Sequence, residues 1–246
     1  MPISSNFTSV YTHSWEINFL QCTPNGLLKY TELCNILQLT AGYHAQIGGL
    51  SFTDMQLHNQ AWVLSRMRVE VDALPKWGDT VTVKTWIIDL QGSRSLRALE
   101  MYKDNKKMAG SITLWVVFNT QQRKAEPLVL PFEHYNLYPH LLPVKQSVSK
   151  IAIPENSETV HRKNVMLSDL DIVSHVNNVK YLEWCIDHIQ PQLILRQQIK
   201  SFDMNFLREL HLNNTVCIDK TLGETDTIMT VTKTNKPCFA LKLEFK

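Results

Sequence analysis

Apolar and polar residues alternate along much of the first half of the chain. From residue 10 to residue 21 the alternation indicates a strand, which the turn sequence T-P-N-G ends. Four further alternating runs between residues 60 and 118 predict an antiparallel meander. Between these strands, apolar residues recur at the three- and four-residue spacing of a buried helical face, namely Leu33, Ile36, Leu37 and Ala41. A helix is therefore predicted at about residues 27–46.

The same order of elements returns in the second half. A strand at residues 159–167 precedes a polar stretch, a predicted helix at about residues 176–189, and four more strands. Residues 127–156 separate the halves and contain five of the ten prolines, which is typical of a connector lying on the protein surface. The predicted organisation is a domain at 1–126, a proline-rich linker at 127–156 and a second domain at 157–246.

One helix with a sheet of about five strands, made twice, predicts an α+β double hotdog fold. Each unit would wrap a curled antiparallel sheet around its central helix. The reason is that each helix is too apolar to face water and each sheet has one apolar face, so wrapping one around the other buries both.

Composition excludes several classes of function. The net charge of +2 and pI of about 8.2 do not indicate a nucleic-acid or membrane partner. The five cysteines lack a C-x-x-C pair, so no metal site is expected, and reduced thiols suit a cytoplasmic protein. No signal-peptide pattern or membrane-spanning apolar segment is present in the sequence. Phosphate-binding and dinucleotide motifs are also lacking, so no cofactor is expected.

The polar stretch before the second helix holds the candidate chemistry. It reads S-D-L-D-I-V-S-H-V-N-N and contains a D-x-x-x-H pair, Asp171 and His175. Random order would produce roughly 0.4 such pairs, so the spacing alone means little. The position matters more, because backbone N–H groups at a helix start polarise a carbonyl and stabilise an oxyanion. The alternative is that Asp169, Asp171 and Ser174 only cap the helix.

Three blocks of the sequence resemble one known family. The block D-L-D-x-x-x-H-V-N-N-V-K-Y followed by a tryptophan is similar to the signature of the acyl-(acyl-carrier-protein) thioesterases of plants and bacteria. The segment from residue 65 to 86 resembles that family's strand-turn-strand with its P-x-W-G-D, and F-L-R-E-L resembles its Y-R-R-E-C. The likeness covers nearly the whole chain. It implies a thioester hydrolase that releases free fatty acid from acyl-(acyl carrier protein) and ends fatty acid synthesis.

The resemblance also implies roles for individual residues. The family's catalytic aspartate, histidine and glutamate fall on Asp171, His175 and Glu209. Two positions depart from the family pattern, because Val173 replaces an asparagine and Leu210 replaces a cysteine. Without that thiol, a carboxylate or activated-water mechanism is favoured over a Cys-His one.

A mechanism follows as a hypothesis. His175, oriented by Glu209, would activate water and then protonate the departing thiol. Asp171 would either position the water or attack the carbonyl itself. The backbone N–H groups expected to hold the oxyanion are those of Val176, Asn177 and Asn178.

A linear alignment of the two halves predicts that catalysis is confined to the second. Matching W-G-D-T-V with L-N-N-T-V, residues 77–81 with 212–216, places Ile36, Thr40 and Leu74 opposite the three candidate residues. The first half therefore lacks the polar cluster. By the family resemblance, the first half lines the acyl pocket.

Two further sets of residues concern substrate binding. Strand alternation puts Met67, Val69 and Val71 on one face, where they form an acyl-pocket wall or, alternatively, plain core. An acyl carrier protein is acidic, so its docking surface should be basic. The candidates are Arg94, Arg97, Arg123, Lys124, Arg162 and Lys163.

Two other functions remain open at this level. One is a hotdog protein that binds acyl groups without hydrolysing them, which the departures at Val173 and Leu210 favour. The other is a hydroxyacyl-thioester dehydratase on the same duplicated fold. The sequence leaves open the acyl chain length, the choice between acyl carrier protein and coenzyme A, and pairing into a homodimer.

Overall fold

The computed structural model describes residues 3–246. They form two compact units, of which the first ends at Val148 and the second begins at Ser149. None of the helices in the described chain has the combination of length and apolar character that crossing a membrane requires.

The first unit is a sheet with a long helix against it. Its elements are β1 Val10–Glu16, α1 Tyr30–Ile47, α2 Phe52–Gln56, β2 Gln60–Val71, β3 Thr80–Gln91, β4 Arg94–Lys103, β5 Lys106–Asn119 and β6 Lys124–Ala125. Antiparallel pairing gives the order β1-β3-β4-β5-β2, and the two-residue β6 pairs with β5.

The predicted meander is wrong at one connection. β2 pairs with β5 and not with β3. The reason is that residues 72–79 do not form a hairpin turn, because they are hydrogen-bonded to the segment that precedes α1. The Leu28 N–H donates to the Pro75 carbonyl at 2.8 Å, and the Trp77 N–H donates to the Gly26 carbonyl at 2.9 Å. The chain therefore crosses from β2, at one end of this strand order, to β3, which is second from the other end, and it passes the start of the helix on the way.

Helix α1 buries the face that its sequence spacing predicts. Leu33, Ile36, Leu37 and Ala41 are all buried, and α1 packs against β3 and β4. The helix begins at Tyr30, three residues later than expected, because residues 23–27 form a closed turn. It ends at Ile47, and Gly49, with φ of 72°, takes the left-handed conformation that favours glycine.

The second unit repeats this plan with shorter helices. Its elements are β7 Glu158–Asn164, α3 Asn178–Ile186, α4 Pro191–Leu195, β8 Ile199–Phe206, β9 Thr215–Leu222, β10 Asp226–Lys233 and β11 Lys236–Phe245. The strand order β8-β11-β10-β9-β7 is antiparallel throughout. Helix α3 packs on β10 and β11 through a face that includes Tyr181, Leu182 and Cys185.

The proline-rich segment lies on both sides of the boundary between the units. Its first part is attached to the first unit, where Tyr138 N–H donates to the Ile87 carbonyl at 2.9 Å and Trp86 Nε1 donates to the Leu141 carbonyl at 3.0 Å. Tyr135 is buried there. In the second unit, Ile151 N–H donates to Asn205 Oδ1 at 2.9 Å. The segment therefore holds to its neighbours by side-chain packing and hydrogen bonds.

Candidate active site

A tight turn at residues 171–175 leads into helix α3. The Asp171 N–H donates to the His175 carbonyl at 2.8 Å, and the Ser174 N–H donates to the Asp171 carbonyl at 3.0 Å. Ser174 has φ of 63°, in the left-handed region that closes such a turn. Leu170 and Val176 pair on either side of it. The turn therefore sets the direction in which the Asp171 and His175 side chains leave the backbone.

The Asp171 carboxylate stabilises this turn. Its Oδ1 accepts the Val173 N–H at 3.0 Å and the His175 N–H at 3.2 Å. This is the local bonding by which aspartate shapes turns. Asp171 thus positions the backbone of His175, whatever further part its charge plays.

His175 and Glu209 are brought together from distant positions in the sequence. Glu209 follows β8, in the segment that crosses to β9, and is not on a strand. The Val176 N–H donates to the Leu210 carbonyl at 2.9 Å, which joins this segment to the turn beside both side chains. His175 Nε2 lies 3.6 Å from Glu209 Oε2, and the two side chains are 27% and 28% exposed. This distance allows charge attraction with a protonated imidazole but exceeds a good hydrogen bond.

Two of the three predicted oxyanion donors are already bonded. The Val176 N–H is taken by the Leu210 carbonyl and the Asn177 N–H by the Asp169 carbonyl at 2.9 Å. The role predicted for these two groups is therefore wrong. The helix starts only at Asn178, with the Asn177 side chain capping it by accepting the Val179 N–H at 3.0 Å. The residues before it pair with neighbouring segments, as backbone outside a helix must when it is buried.

His211 is a neighbour that the sequence reading missed. Its ring lies 4.8 Å from the His175 ring, edge to face. The signal was available, because His211 stands only two residues after Glu209 in the sequence. Potential ligand atoms of His175, Glu209 and His211 lie within 4.8 Å of one another. Two imidazoles and a carboxylate suit zinc, but donors around a tetrahedral zinc stand about 3.3 Å apart, so ligation requires these side chains to move closer.

The two departures from the family pattern have different environments. Val173 is exposed at the tip of the turn, and its N–H is held by Asp171. Leu210 is completely buried and supplies core packing at the position of the family's cysteine. A buried leucine offers no nucleophile, which leaves the imidazoles and the carboxylates as the reactive groups here.

The first unit contains a cavity of about 180 Å³. Its lining comes from helix α1, the segment after it and strands β2 to β5, and consists of Gln38, Ala41, Gly42, Ala45, Leu50, Ser51, Phe52, Trp62, Ile87, Ser95, Arg97 and Trp115.

The predicted acyl-pocket wall does not line this cavity. Met67, Val69 and Val71 are buried, but it is Trp62 that β2 contributes to the lining. A β-bulge between Leu64 and Arg66 separates Trp62 from these three residues. The extra residue interrupts the alternation of faces, so the two ends of β2 cannot be assigned from one period-two pattern.

The prediction that Arg97 belongs to the docking surface is wrong. Arg97 is 6% exposed, because it shares the inward face of β4 with Ser95 and Leu99. Its Nη1 donates to His44 Nδ1 at 2.7 Å and to Thr85 Oγ1 at 3.2 Å. An acidic partner protein cannot reach this guanidinium.

The remaining basic candidates are more accessible. Arg94, Arg123, Lys124 and Arg162 are exposed. Lys163 is half-buried, since its Nζ pairs with Asp169 at 3.4 Å and stands 3.8 Å from the centre of the Trp184 ring.

Family models match both units. Residues 8–132 match the acyl-ACP thioesterase N-terminal domain, and residues 153–237 match the acyl-ACP thioesterase C-terminal domain. Together these ranges include the turn at residues 171–175, Glu209 and the cavity residues of the first unit.

Curated proteins of the same kind are similar over most of the chain. The palmitoyl-acyl carrier protein thioesterase of Arabidopsis thaliana is 31% identical over 215 residues, which are 81% of this chain and 52% of that protein. The Cuphea hookeriana protein of the same name is 27% identical over 217 residues, again 81% and 52%. The chain therefore spans about half the length of these relatives.

Solved structures confirm the predicted fold. An acyl-ACP thioesterase from Bacteroides thetaiotaomicron superposes with a TM-score of 0.89 at 24% identity, over 97% of this chain and 98% of that one. The 12:0-ACP thioesterase from Umbellularia californica has a TM-score of 0.81 at 21% identity, over 97% and 98%. The likeness supports the α+β double hotdog fold.

Proposed function

The chain belongs to the acyl-ACP thioesterase family, and from this premise we propose that it hydrolyses the thioester bond of acyl groups carried on acyl carrier protein. The observation that carries the proposal is the approach of His175 Nε2 to the Glu209 carboxylate, at 3.6 Å, on two segments joined by a backbone hydrogen bond. A base oriented by a second group, in a partly exposed site, is what activation of water requires.

In the proposed reaction, His175 removes a proton from water as the water oxygen bonds to the thioester carbon. The tetrahedral intermediate then breaks its carbon–sulfur bond, and the protonated imidazole returns the proton to the departing thiol. The products are a free fatty acid and the carrier thiol. General acid–base catalysis of this kind contributes about 10² to 10⁴ in rate.

Glu209 acts as a positioning residue in this scheme. Its carboxylate holds the imidazole and stabilises the cation that forms when His175 takes the proton. The start of helix α3 lies three residues beyond His175, and the positive end of its dipole favours the negative charge of the intermediate. Since the Val176 and Asn177 N–H groups are bonded, the oxyanion must be met by other donors or by this field.

Acyl carrier protein is the proposed partner. The names of the curated relatives, palmitoyl-acyl carrier protein thioesterase among them, support this choice. The exposed basic residues Arg94, Arg123, Lys124 and Arg162 are the proposed contacts, because an acidic carrier is attracted to positive surface.

The test is thiol release from acyl-(acyl carrier protein)s of graded chain length, with the matching coenzyme A thioesters alongside. The wild-type protein is expected to release thiol and fatty acid in equal amounts. Glu209→Gln should lower kcat about tenfold or more with KM little changed, because the loss acts on the base and not on binding. Carrier binding without thiol release would contradict the hydrolase and favour a protein that binds acyl groups without cleaving them. Loss of water from a hydroxyacyl substrate without thiol release would indicate a dehydratase.

A further inference from the structure

Arg97 is a buried cation without a carboxylate partner in the described chain. Its two hydrogen bonds, to the His44 ring and the Thr85 hydroxyl, both use Nη1. Burial of a charged group costs free energy unless a counter-charge or several hydrogen bonds offset it. These two contacts account for two of the five N–H donors of the guanidinium.

The groups around Arg97 do not neutralise it. His44 donates from Nε2 to the Thr8 carbonyl at 2.9 Å, so its Nδ1 is the acceptor for Arg97 and the ring is neutral. Burial and the nearby Arg97 charge lower the pKa of His44 to about 3. Burial lowers the pKa of Arg97 to about 10, and burial raises the pKa of Tyr135 to about 12. Near neutral pH, Arg97 is therefore the charged member of this group.

The cavity brings this cation next to an apolar space. Arg97 and Ser95 line it from the same face of β4, while Trp62, Trp115 and Ile87 supply aromatic and aliphatic walls. A cavity with apolar walls and one cationic group suits an aliphatic chain that ends in an anion. A hydrocarbon alone would leave the guanidinium unpaired in a drier cavity, which is unfavourable.

We propose that this cavity of the first unit binds the carboxylate end of an aliphatic chain, with Arg97 as the anion-binding group. The proposed binding does not require hydrolase activity, but the identity of the natural ligand rests on the proposed function. That carboxylate reaches the protein from two sources, as the fatty acid that hydrolysis releases or as the far end of an acyl group that carries a second carboxylate.

The binding test compares two probes of equal length, octanoate and 1-octanol, by isothermal titration calorimetry on the full chain. Both fill the apolar space, but octanoate alone offers a charge to Arg97. Because charge-assisted hydrogen bonds are about twice as strong as neutral ones, octanoate should bind about tenfold more tightly or better. Equal affinities, or no octanoate binding, would overturn the proposal.

Two variants separate the charge from the space. Arg97→Met removes the charge and keeps a long, unbranched side chain, so it should weaken octanoate about tenfold or more, with the octanol affinity changed less than about threefold. Gly42→Leu should weaken both probes, because Gly42 lines the cavity and no atom lies within 4 Å of a Cβ built there. Thermal melting checks that each variant is folded. Unchanged octanoate affinity in either variant contradicts the proposed site, and the Gly42 variant decides even where Arg97→Met fails to fold.

Turnover then identifies the source. Faster hydrolysis of ω-carboxyacyl thioesters than of simple acyl thioesters, lost in Arg97→Met, assigns the site to the acyl group. Preference for simple acyl groups, with octanoate inhibition that Arg97→Met relieves, assigns it to the released acid. If the protein binds octanoate but never releases thiol, the binding site is supported and the proposed hydrolase activity is contradicted. If the protein releases thiol but does not bind octanoate, only the proposed binding site is contradicted.

Discussion

The turns before the two central helices have the same backbone and different chemistry. In the first unit, Thr23 N–H donates to the Leu27 carbonyl at 2.8 Å and Gly26 N–H to the Thr23 carbonyl at 2.8 Å. The turn at residues 171–175 has the same two bonds at 2.8 and 3.0 Å. Thr23 and Leu27 thus stand where the second unit has Asp171 and His175. The backbone frame alone does not make a catalytic site.

The equivalence extends to the crossing segments and corrects the linear alignment. Leu28 N–H donates to the Pro75 carbonyl as Val176 N–H does to the Leu210 carbonyl. The counterparts of the three candidate residues are therefore Thr23, Leu27 and Leu74, and the predicted Ile36 and Thr40 are wrong. Because α1 has 18 residues and α3 has nine, no single offset aligns both ends of the helix.

The two units share one backbone arrangement at this turn but carry different side chains on it. The second unit places an acid, an imidazole and a carboxylate on it. The first unit places a threonine and two leucines there, and its charged group is instead Arg97, at the cavity between α1 and the sheet. Exchanging residues between equivalent positions therefore tests which side chains carry the function.

His175→Leu copies the first unit and should have the largest effect. Leucine cannot accept the proton of water, so kcat for thiol release should fall by about 10² to 10⁴. The side chain is partly exposed, so the melting temperature should change little. Stopped-flow or steady-state thiol assays measure the loss.

His211→Gln is the matched control for this variant. It removes a neighbouring imidazole that has no place in the proposed reaction, and activity should stay within about threefold of wild type. If His211→Gln were as inactive as His175→Leu, or His175→Leu stayed active, the assignment of His175 as the base would be abandoned.

Asp171→Asn should have the next largest effect. The asparagine oxygen can accept the same Val173 and His175 N–H groups, so the free energy of unfolding should change by less than about 0.5 kcal/mol. Thr23 forms the equivalent turn without a charge, so we expect the Asp171 charge to serve the reaction and kcat to fall about 10²-fold. Urea unfolding and thiol release measure the two effects. Normal turnover in this variant would limit Asp171 to shaping the turn.

Exchanging the residues at the turn position with positive φ should have the smallest effect, and that effect is on stability. Ser174 and Gly26, with φ of 63° and 78°, occupy the same place in the two turns. Ser174→Gly should raise the free energy of unfolding by up to about 1 kcal/mol, because glycine adopts this conformation without the Cβ penalty. Gly26→Ser should lower it by a similar amount, since its Cβ would meet no atom within 4 Å and only the backbone cost remains. Effects of the same sign in both variants, in urea titrations, would contradict the equivalence.

Local pattern was sufficient for much of the fold. The spacing of Leu33, Ile36 and Leu37 predicted the buried face of α1 because helical period is a local property. The period-two runs likewise predicted two antiparallel sheets. The same pattern buried Met67 correctly but could not place Trp62, because a bulge in β2 lies between the two residues and leaves no local mark.

The sequence by itself determined the duplicated α+β plan, the family, and the candidates Asp171, His175 and Glu209. Only the tertiary structure decided that His175 and Glu209 come within 3.6 Å, that the Val176 and Asn177 N–H groups are occupied, and that Arg97 points inward. The physical reason is the distance along the chain over which each interaction acts. Periodicity and turn chemistry act between near neighbours along the chain, whereas hydrogen bonds between the turn and the crossing segment join residues more than thirty positions apart, and no local pattern encodes them.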